Sequence, residues 1–174
     1  GADASRVLDD GAAASVYPAA VAEVGSAAGL RWRHAVGRLT YADDAQAATA
    51  ATVFDLASLT KVVVATTIAM RLVDRGALDL EAPVSRYVAA WAAGARGLVS
   101  VRDLLEHSSG LPAWAPLYEH ASGREAFAAA LAALPLDYAP RAQSVYSDLG
   151  FIVLGLILET VGAASLDDQF RSIV

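Results

Sequence analysis

The chain has 174 residues, the size of one domain with room for a substantial core. It is 56% hydrophobic and only 18% charged, which excludes a disordered segment, and alanine supplies much of the apolar share. A net charge of −6 without a basic patch argues against a nucleic-acid partner, and the lack of cysteine excludes disulfides and thiolate metal sites. The longest apolar runs, around Val62 to Ala65 and from Phe151 to Leu158, are too short to span a bilayer.

In chain order, Ala4 to Ala14 reads as a short helix, weakened by Gly11. Ala19 to Val24 and Leu30 to Leu39 read as two strands around a Ser26-Ala27-Ala28-Gly29 turn. After a polar, alanine-rich connection, Leu59 to Arg75 shows a broad apolar stripe through Val63, Val64, Ile68, Leu72 and Val73 and stops at Gly76. So wide a stripe predicts a helix buried on most sides. Val101 to Glu106 is a shorter helix ending before a His107-Ser108-Ser109-Gly110 turn. Ser122 and Glu125 form a capping-box pattern ahead of Phe127 to Leu134, and a last helix, apolar all round, runs from about Leu149 to Val161.

Lys61 is the only lysine, against twelve arginines. A chain that uses arginine wherever a permanent charge suffices has kept an amine at one position, where a cation able to lose its proton would be useful. Ser58 lies three residues before it at the start of the helical pattern, so both side chains share one face. That spacing suits a nucleophile and its proton acceptor. The helix start offers backbone N–H groups and a positive dipole end to a developing oxyanion. A largely apolar helix would desolvate Lys61 and lower its pKa toward that of a general base. The same two residues also fit an ordinary cap and a solvated first-turn lysine.

Phe54-Asp55-Leu56-Ala57-Ser58-Leu59-Thr60-Lys61 resembles the first active-site motif of the serine β-lactamase and penicillin-binding-protein superfamily. The likeness is to its class C-like branch, which includes family VIII esterases and D,D-peptidases. Leu72 to Leu80, Pro83 to Tyr87 and Val101 to Pro112 resemble that branch's continuation, and Tyr146-Ser147-Asp148 resembles its second motif, Tyr-x-Asn or a relative. The resemblance runs from about Tyr17 to the chain end, with the motifs in the family's order and spacing.

The resemblance implies an α+β fold of the β-lactamase/transpeptidase type. It implies that Ser58 is the acylated nucleophile, that Lys61 helps deprotonate it, and that Tyr146 relays protons. The backbone N–H of Ser58 would form half of an oxyanion hole. Asp148 would face substrate, but an ionised carboxylate only accepts hydrogen bonds where the usual asparagine also donates. It would favour a protonated Lys61 and disfavour β-lactams more than simple esters. Pro140-Arg141 departs from the usual Pro-Gly turn before the tyrosine motif. Nothing after Tyr146 resembles the family's third motif, a Lys/His-x-Gly strand edge, and the family domain is about twice this long. Residues 1–174 therefore read as an incomplete hydrolase domain, its N-terminal half. The strand pair lies at 15–40 and the mainly helical part, with the first two motifs, at 53–174, while the C-terminal sheet strands are missing. Such a segment would expose strand edges and apolar surface, and would self-associate or pair with the remaining half.

Two functions follow as expectations. One is a serine hydrolase acting through an acyl-enzyme on small esters, D-amino-acid peptides or lactams, without a cofactor and, by the resemblance, periplasmic or secreted. The other is a non-catalytic half-domain serving as an assembly or binding module. His34, His107 and His120 are scattered without metal-ligand spacing, so no metal site is expected. Trp91, Trp114 and Tyr118 suit either a substrate entrance or loop anchors, and His107 suits a structural corner near the site.

Overall fold

The computed structural model describes residues 1–174, which fall into two compact units, 1–55 and 56–174. The first holds helix α1 (Ala2–Ala13) and an antiparallel hairpin of β1 (Ala19–Ser26) and β2 (Gly29–Gly37), paired from Ala19 opposite Gly37 to Ser26 opposite Gly29. Polar contacts tie α1 to its neighbours: Trp32 Nε1 donates to Ser5 Oγ at 3.3 Å, and His34 Nε2 lies 2.7 Å from Asp9 Oδ1. Gly11 stands within the helix where a Cβ would clash with the Tyr17 hydroxyl, and that hydroxyl donates to the Leu8 carbonyl.

The second unit is helical. A π-helical stretch, Lys61–Thr66, flows into α2 (Thr67–Asp74), followed by α3 (Val101–Leu105), α4 (Arg124–Ala133), α5 (Asp148–Gly162) and α6 (Leu166–Arg171), with short 3₁₀ turns between. Its core joins Ile68 and Leu72 of α2, Leu104 of α3 and Leu131 of α4 to Leu149, Val153, Leu154, Ile157 and Leu158 of α5. With seven buried residues, α5 is the axis on which the other helices pack. Each large side chain taken fully from water there contributes about 1.5–3 kcal/mol. Together the elements form an α+β arrangement with a two-stranded antiparallel sheet.

Several expectations require correction. The helix at 59–75 is not uniformly α: its first turns are wound as a π-helix, and the Thr66 hydroxyl donates to the Lys61 carbonyl at 2.9 Å. The β-branched run Val62-Val63-Val64 followed by Thr66, Thr67 and Ile68 crowds an α-helical turn, which a wider turn relieves. This helix is not buried on most sides either, since Leu59, Val62, Val63 and Met70 are exposed. The Ser122–Glu125 box does not form: Gly123, at φ 79°, occupies the N-cap of α4, and its backbone turn starts the helix without a side-chain cap. Helix α6 was not expected, although Ser165 caps it by accepting from the Asp168 N–H, a Ser-x-x-Asp signal readable in the sequence.

Candidate active site

Two elements bring the predicted residues together. Ser58 and Lys61 sit at the entry to the π-helical stretch, where amides 59, 60 and 61 each donate three residues back, at 2.9–3.1 Å. This tight turn follows Ala57, whose φ of 44° is left-handed and strained for a residue with a Cβ. Tyr146 and Asp148 flank Ser147, the N-cap of α5. The Ser147 hydroxyl accepts from the Gly150 N–H at 3.1 Å and donates to the Pro112 carbonyl at 2.7 Å. Those two hydrogen bonds fix the start of α5 and so the backbone on either side of Ser147.

Lys61 is the hub. Its ammonium lies 2.7 Å from Asp148 Oδ1, donates to Ser58 Oγ at 3.3 Å and sits 5.1 Å from the centroid of the Tyr146 ring. Burial alone would lower its pKa, but the Asp148 carboxylate and the Tyr146 phenol outweigh burial and hold the ammonium above the usual lysine range. The expected depression of this amine therefore does not occur; the carboxylate at 148 is the reason.

Tyr146 moves the other way. Hydrogen bonds from Lys61 and then Ser58 pull its phenol below the usual tyrosine pKa. Because Ser58 Oγ accepts from Lys61, its own proton is left to seek another acceptor, and the Tyr146 phenol is near enough for Ser58 to lower its pKa. The arrangement sets a phenol of lowered pKa beside the Ser58 hydroxyl and the Lys61 ammonium.

His107 is a participant that the sequence suggested only as a corner. Its backbone is left-handed, at φ 56°, and its Nδ1 accepts from the Ser147 N–H at 3.1 Å. The ring lies 4.6 Å, centroid to centroid, from Tyr146 and 5.0 Å from Phe151. Burial, then the nearby Lys61 charge, depress its pKa and favour the neutral ring that the Ser147 bond requires. No sequence motif announces this bond, because its partners are forty residues apart. Ser108 turns to the buried Asp103 carboxylate, at 3.3 Å, and takes no part. Trp91 is a core anchor, whereas Trp114 and Tyr118 line a cavity of about 650 Å³ that also reaches Ser58, Lys61 and Asp148.

Arg141 accounts for the departure from a Pro-Gly turn. Its φ of 69° is the left-handed conformation a glycine would adopt freely. Its guanidinium donates to Asp103 Oδ2 at 2.8 Å, so the arginine supplies a counter-ion to a buried carboxylate that glycine could not.

A family model described as Beta-lactamase matches residues 5–173. The chain belongs to the β-lactamase family. Among its relatives, the N-acetylmuramyl-L-alanine amidase of Bacillus subtilis (strain 168) is 34% identical over 129 residues, covering 67% of this chain and 29% of that protein. A "Putative D-alanyl-D-alanine carboxypeptidase" of Escherichia coli (strain K12) is 30% identical over 138 residues, covering 69% of this chain and 31% of that protein. A class C β-lactamase from Rhodobacter sphaeroides superposes with a TM-score of 0.84 at 23% identity, over 100% of this chain and 48% of that one. The chain thus spans about a third of the length of these curated relatives and about half of that solved structure. Its fold is that of the β-lactamases, and these two relatives are named as an amidase and a carboxypeptidase.

Proposed function

We propose that this chain carries the nucleophile of a serine hydrolase that works through an acyl-enzyme on carboxylic esters or amides. One observation supports this reading above all: Lys61 Nζ is 3.3 Å from Ser58 Oγ and 5.1 Å from the centroid of the Tyr146 ring, so hydroxyl, ammonium and phenol converge. Ser58 Oγ attacks the substrate carbonyl while its proton passes to the Tyr146 oxygen, and the backbone N–H of Ser58 stabilises the oxyanion. The bond to the leaving oxygen or nitrogen then breaks, and Tyr146 returns the proton to it. Water repeats the sequence, releasing the acid and restoring Ser58. Lys61 serves as the permanent charge that keeps Tyr146 acidic rather than as the base, since its pKa is raised.

Simple esters are the leading substrates, ahead of D-amino-acid peptides and β-lactams. Asp148 presents a carboxylate engaged with Lys61 and offers no N–H to an acylamino group. Incubation of the protein with a fluorophosphonate, followed by intact-mass analysis, tests the reading. One adduct, on Ser58, is expected; it is absent in Ser58→Ala, and in Tyr146→Phe it forms about 10²–10⁴-fold more slowly. No adduct on folded full-length protein overturns the reading.

A second reading, an assembly module, draws on the exposed apolar strip of Leu59, Val62, Val63 and Met70. It predicts a concentration-dependent mass in light scattering that Val62→Glu lowers.

A further inference from the structure

A second cavity, of about 220 Å³, shares no lining residue with the one that reaches Ser58. It lies between α2 and α6, where α5 ends at Gly162. Ile68 and Leu72 of α2, both buried, and the half-buried Ile173 give it an apolar wall.

The rest of the lining is charged or polar. Arg71 and Arg75 lie one helical turn apart on the face of α2 that carries Ile68 and Leu72. Neither guanidinium makes an ion pair or a hydrogen bond within the chain. Arg86, Arg102, Arg124, Arg141 and Arg171 of the same unit each face a carboxylate. The C-terminal end of α2 favours the charge of Arg71 and Arg75 but does not occupy their donors. Two guanidiniums at this spacing suit one carboxylate, whose two oxygens match paired N–H groups.

On α6 the lining has the opposite sign. Asp168 Oδ2 accepts from the Ser165 hydroxyl at 2.8 Å, which leaves Oδ1 available. Gln169 uses both amide hydrogens, on the Leu158 carbonyl at 3.0 Å and the Ala164 carbonyl at 2.8 Å, so its oxygen remains an acceptor. The neighbouring carboxylates Asp74 and Asp167 do not line the cavity, and Asp167 pairs with Arg171.

A dianion such as phosphate would suit the arginines but meet Asp168 in the same small space. A plain hydrocarbon would cover the apolar wall and leave three charges unanswered. A molecule with a carboxylate, an ammonium and a short apolar side chain answers all of them. We propose that the α2–α6 cavity binds a free apolar α-amino acid. Its carboxylate meets Arg71 and Arg75, its ammonium meets Asp168 and the Gln169 oxygen, and its side chain packs on Ile68, Leu72 and Ile173. The volume is below that of pockets for drug-sized ligands, which suits one amino acid better than a peptide. The site is independent of the hydrolase reading, since none of its residues takes part in the proposed reaction.

Isothermal titration calorimetry of the full-length protein with each enantiomer of leucine tests the site. Three further probes each lack one part of leucine: leucinamide the carboxylate, 4-methylpentanoate the ammonium, and glycine the apolar side chain. A charge-assisted contact or a buried side chain is worth about tenfold or more, so the better enantiomer should exceed every probe by at least that factor. Arg71→Gln should bring leucine and leucinamide close to equal affinity. Arg75→Gln, at an exposed helix end, repeats that test with little demand on packing. Asp168→Asn keeps an oxygen for the Ser165 hydroxyl and should bring leucine and 4-methylpentanoate together. A merely structural role for these side chains would weaken all the ligands alike and leave the ratios unchanged. The site is overturned if leucine does not bind at millimolar concentration, if its native preference is below tenfold, or if the ratios survive the substitutions.

Discussion

Lys61 Nζ and Asp148 Oδ1 lie 2.7 Å apart, and this contact favours the charged form of the amine beside Ser58. The carboxylate keeps the ammonium charged, and the ammonium in turn holds the Tyr146 phenol below its usual pKa.

Replacing Asp148 by asparagine should separate the two effects. Burial lowers the Lys61 pKa and Asp148 raises it, so Asp148→Asn lets burial act against Tyr146 alone, and the amine's pKa falls. Loss of the ammonium ends the support of the phenolate, so the alkaline limb of the Ser58 labelling rate moves to lower pH. Stability follows the same linkage. A raised folded-state pKa stabilises fully below the unfolded lysine pKa, and the contribution is lost as pH rises through the folded value. The native protein should exceed Asp148→Asn by no more than about 1 kcal/mol at pH 7 to 9, because Asp148 is partly exposed and screened. The gap should close above the raised pKa. Urea titrations at pH 8 and at high pH, beside a pH series of fluorophosphonate labelling, measure both.

His107 should act through its acceptor nitrogen and its ring separately. His107→Asn keeps an oxygen near the Nδ1 position and tolerates the left-handed backbone, so the Ser147 N–H stays paired. His107→Phe keeps the stacking on Tyr146 but strands that amide, costing about 1–3 kcal/mol. The imidazole also carries a pH signature. Its folded pKa is depressed, so its contribution is present above the unfolded histidine pKa and disappears as pH falls through the folded value. The difference in urea midpoint between the native protein and His107→Asn should therefore shrink, or reverse, as pH falls from 7 toward 5. An unchanged difference would mean the ring stays neutral or makes no bond.

Arg141 offers a test of strain against charge. Arg141→Gly relieves the left-handed backbone but removes the ion pair to Asp103, while Arg141→Ala removes the pair and keeps the strain. Asp103 retains the Ser100 N–H and the Ser108 hydroxyl, so loss of the guanidinium should cost about 2 kcal/mol rather than the full penalty of an unpaired buried charge. The glycine variant should lie about 1 kcal/mol above the alanine variant. Thermal unfolding of the two, side by side, gives the order.

The parts of this molecule legible in the sequence were those written in local pattern. The strands around the Ala27-Ala28 turn, the short α3 and the apolar α5 follow from periodicity and turn residues, and the Ser58–Lys61 adjacency follows from helical spacing. Features created by distant partners were not legible. Desolvation of Lys61 was foreseeable from its apolar helix, and the opposing pull of Asp148, 87 positions later in the chain, from the second-motif resemblance; which of the two prevails was not. The His107–Ser147 bond and the Arg141–Asp103 pair belong to the same kind, since both join segments about forty residues apart. The π-helical winding fell between these cases. Its β-branched run was visible, but helical periodicity does not distinguish a wide turn from an α turn over so short a stretch.

Ala57 carries the last prediction. Its left-handed φ of 44°, one residue before Ser58, costs about 1–2 kcal/mol relative to glycine in the same conformation. Ala57→Gly removes that cost in the folded chain but adds freedom to the unfolded one, an opposing effect of about 0.4–1 kcal/mol. The net expectation is a stabilisation of up to about 1 kcal/mol in urea denaturation. The same freedom loosens the tight turn that aims Ser58 Oγ at the Lys61 ammonium and the Tyr146 oxygen, so labelling by a fluorophosphonate should slow even as the fold gains stability. If the variant were both less stable and unaffected in labelling, the left-handed turn would have no part in holding the nucleophile.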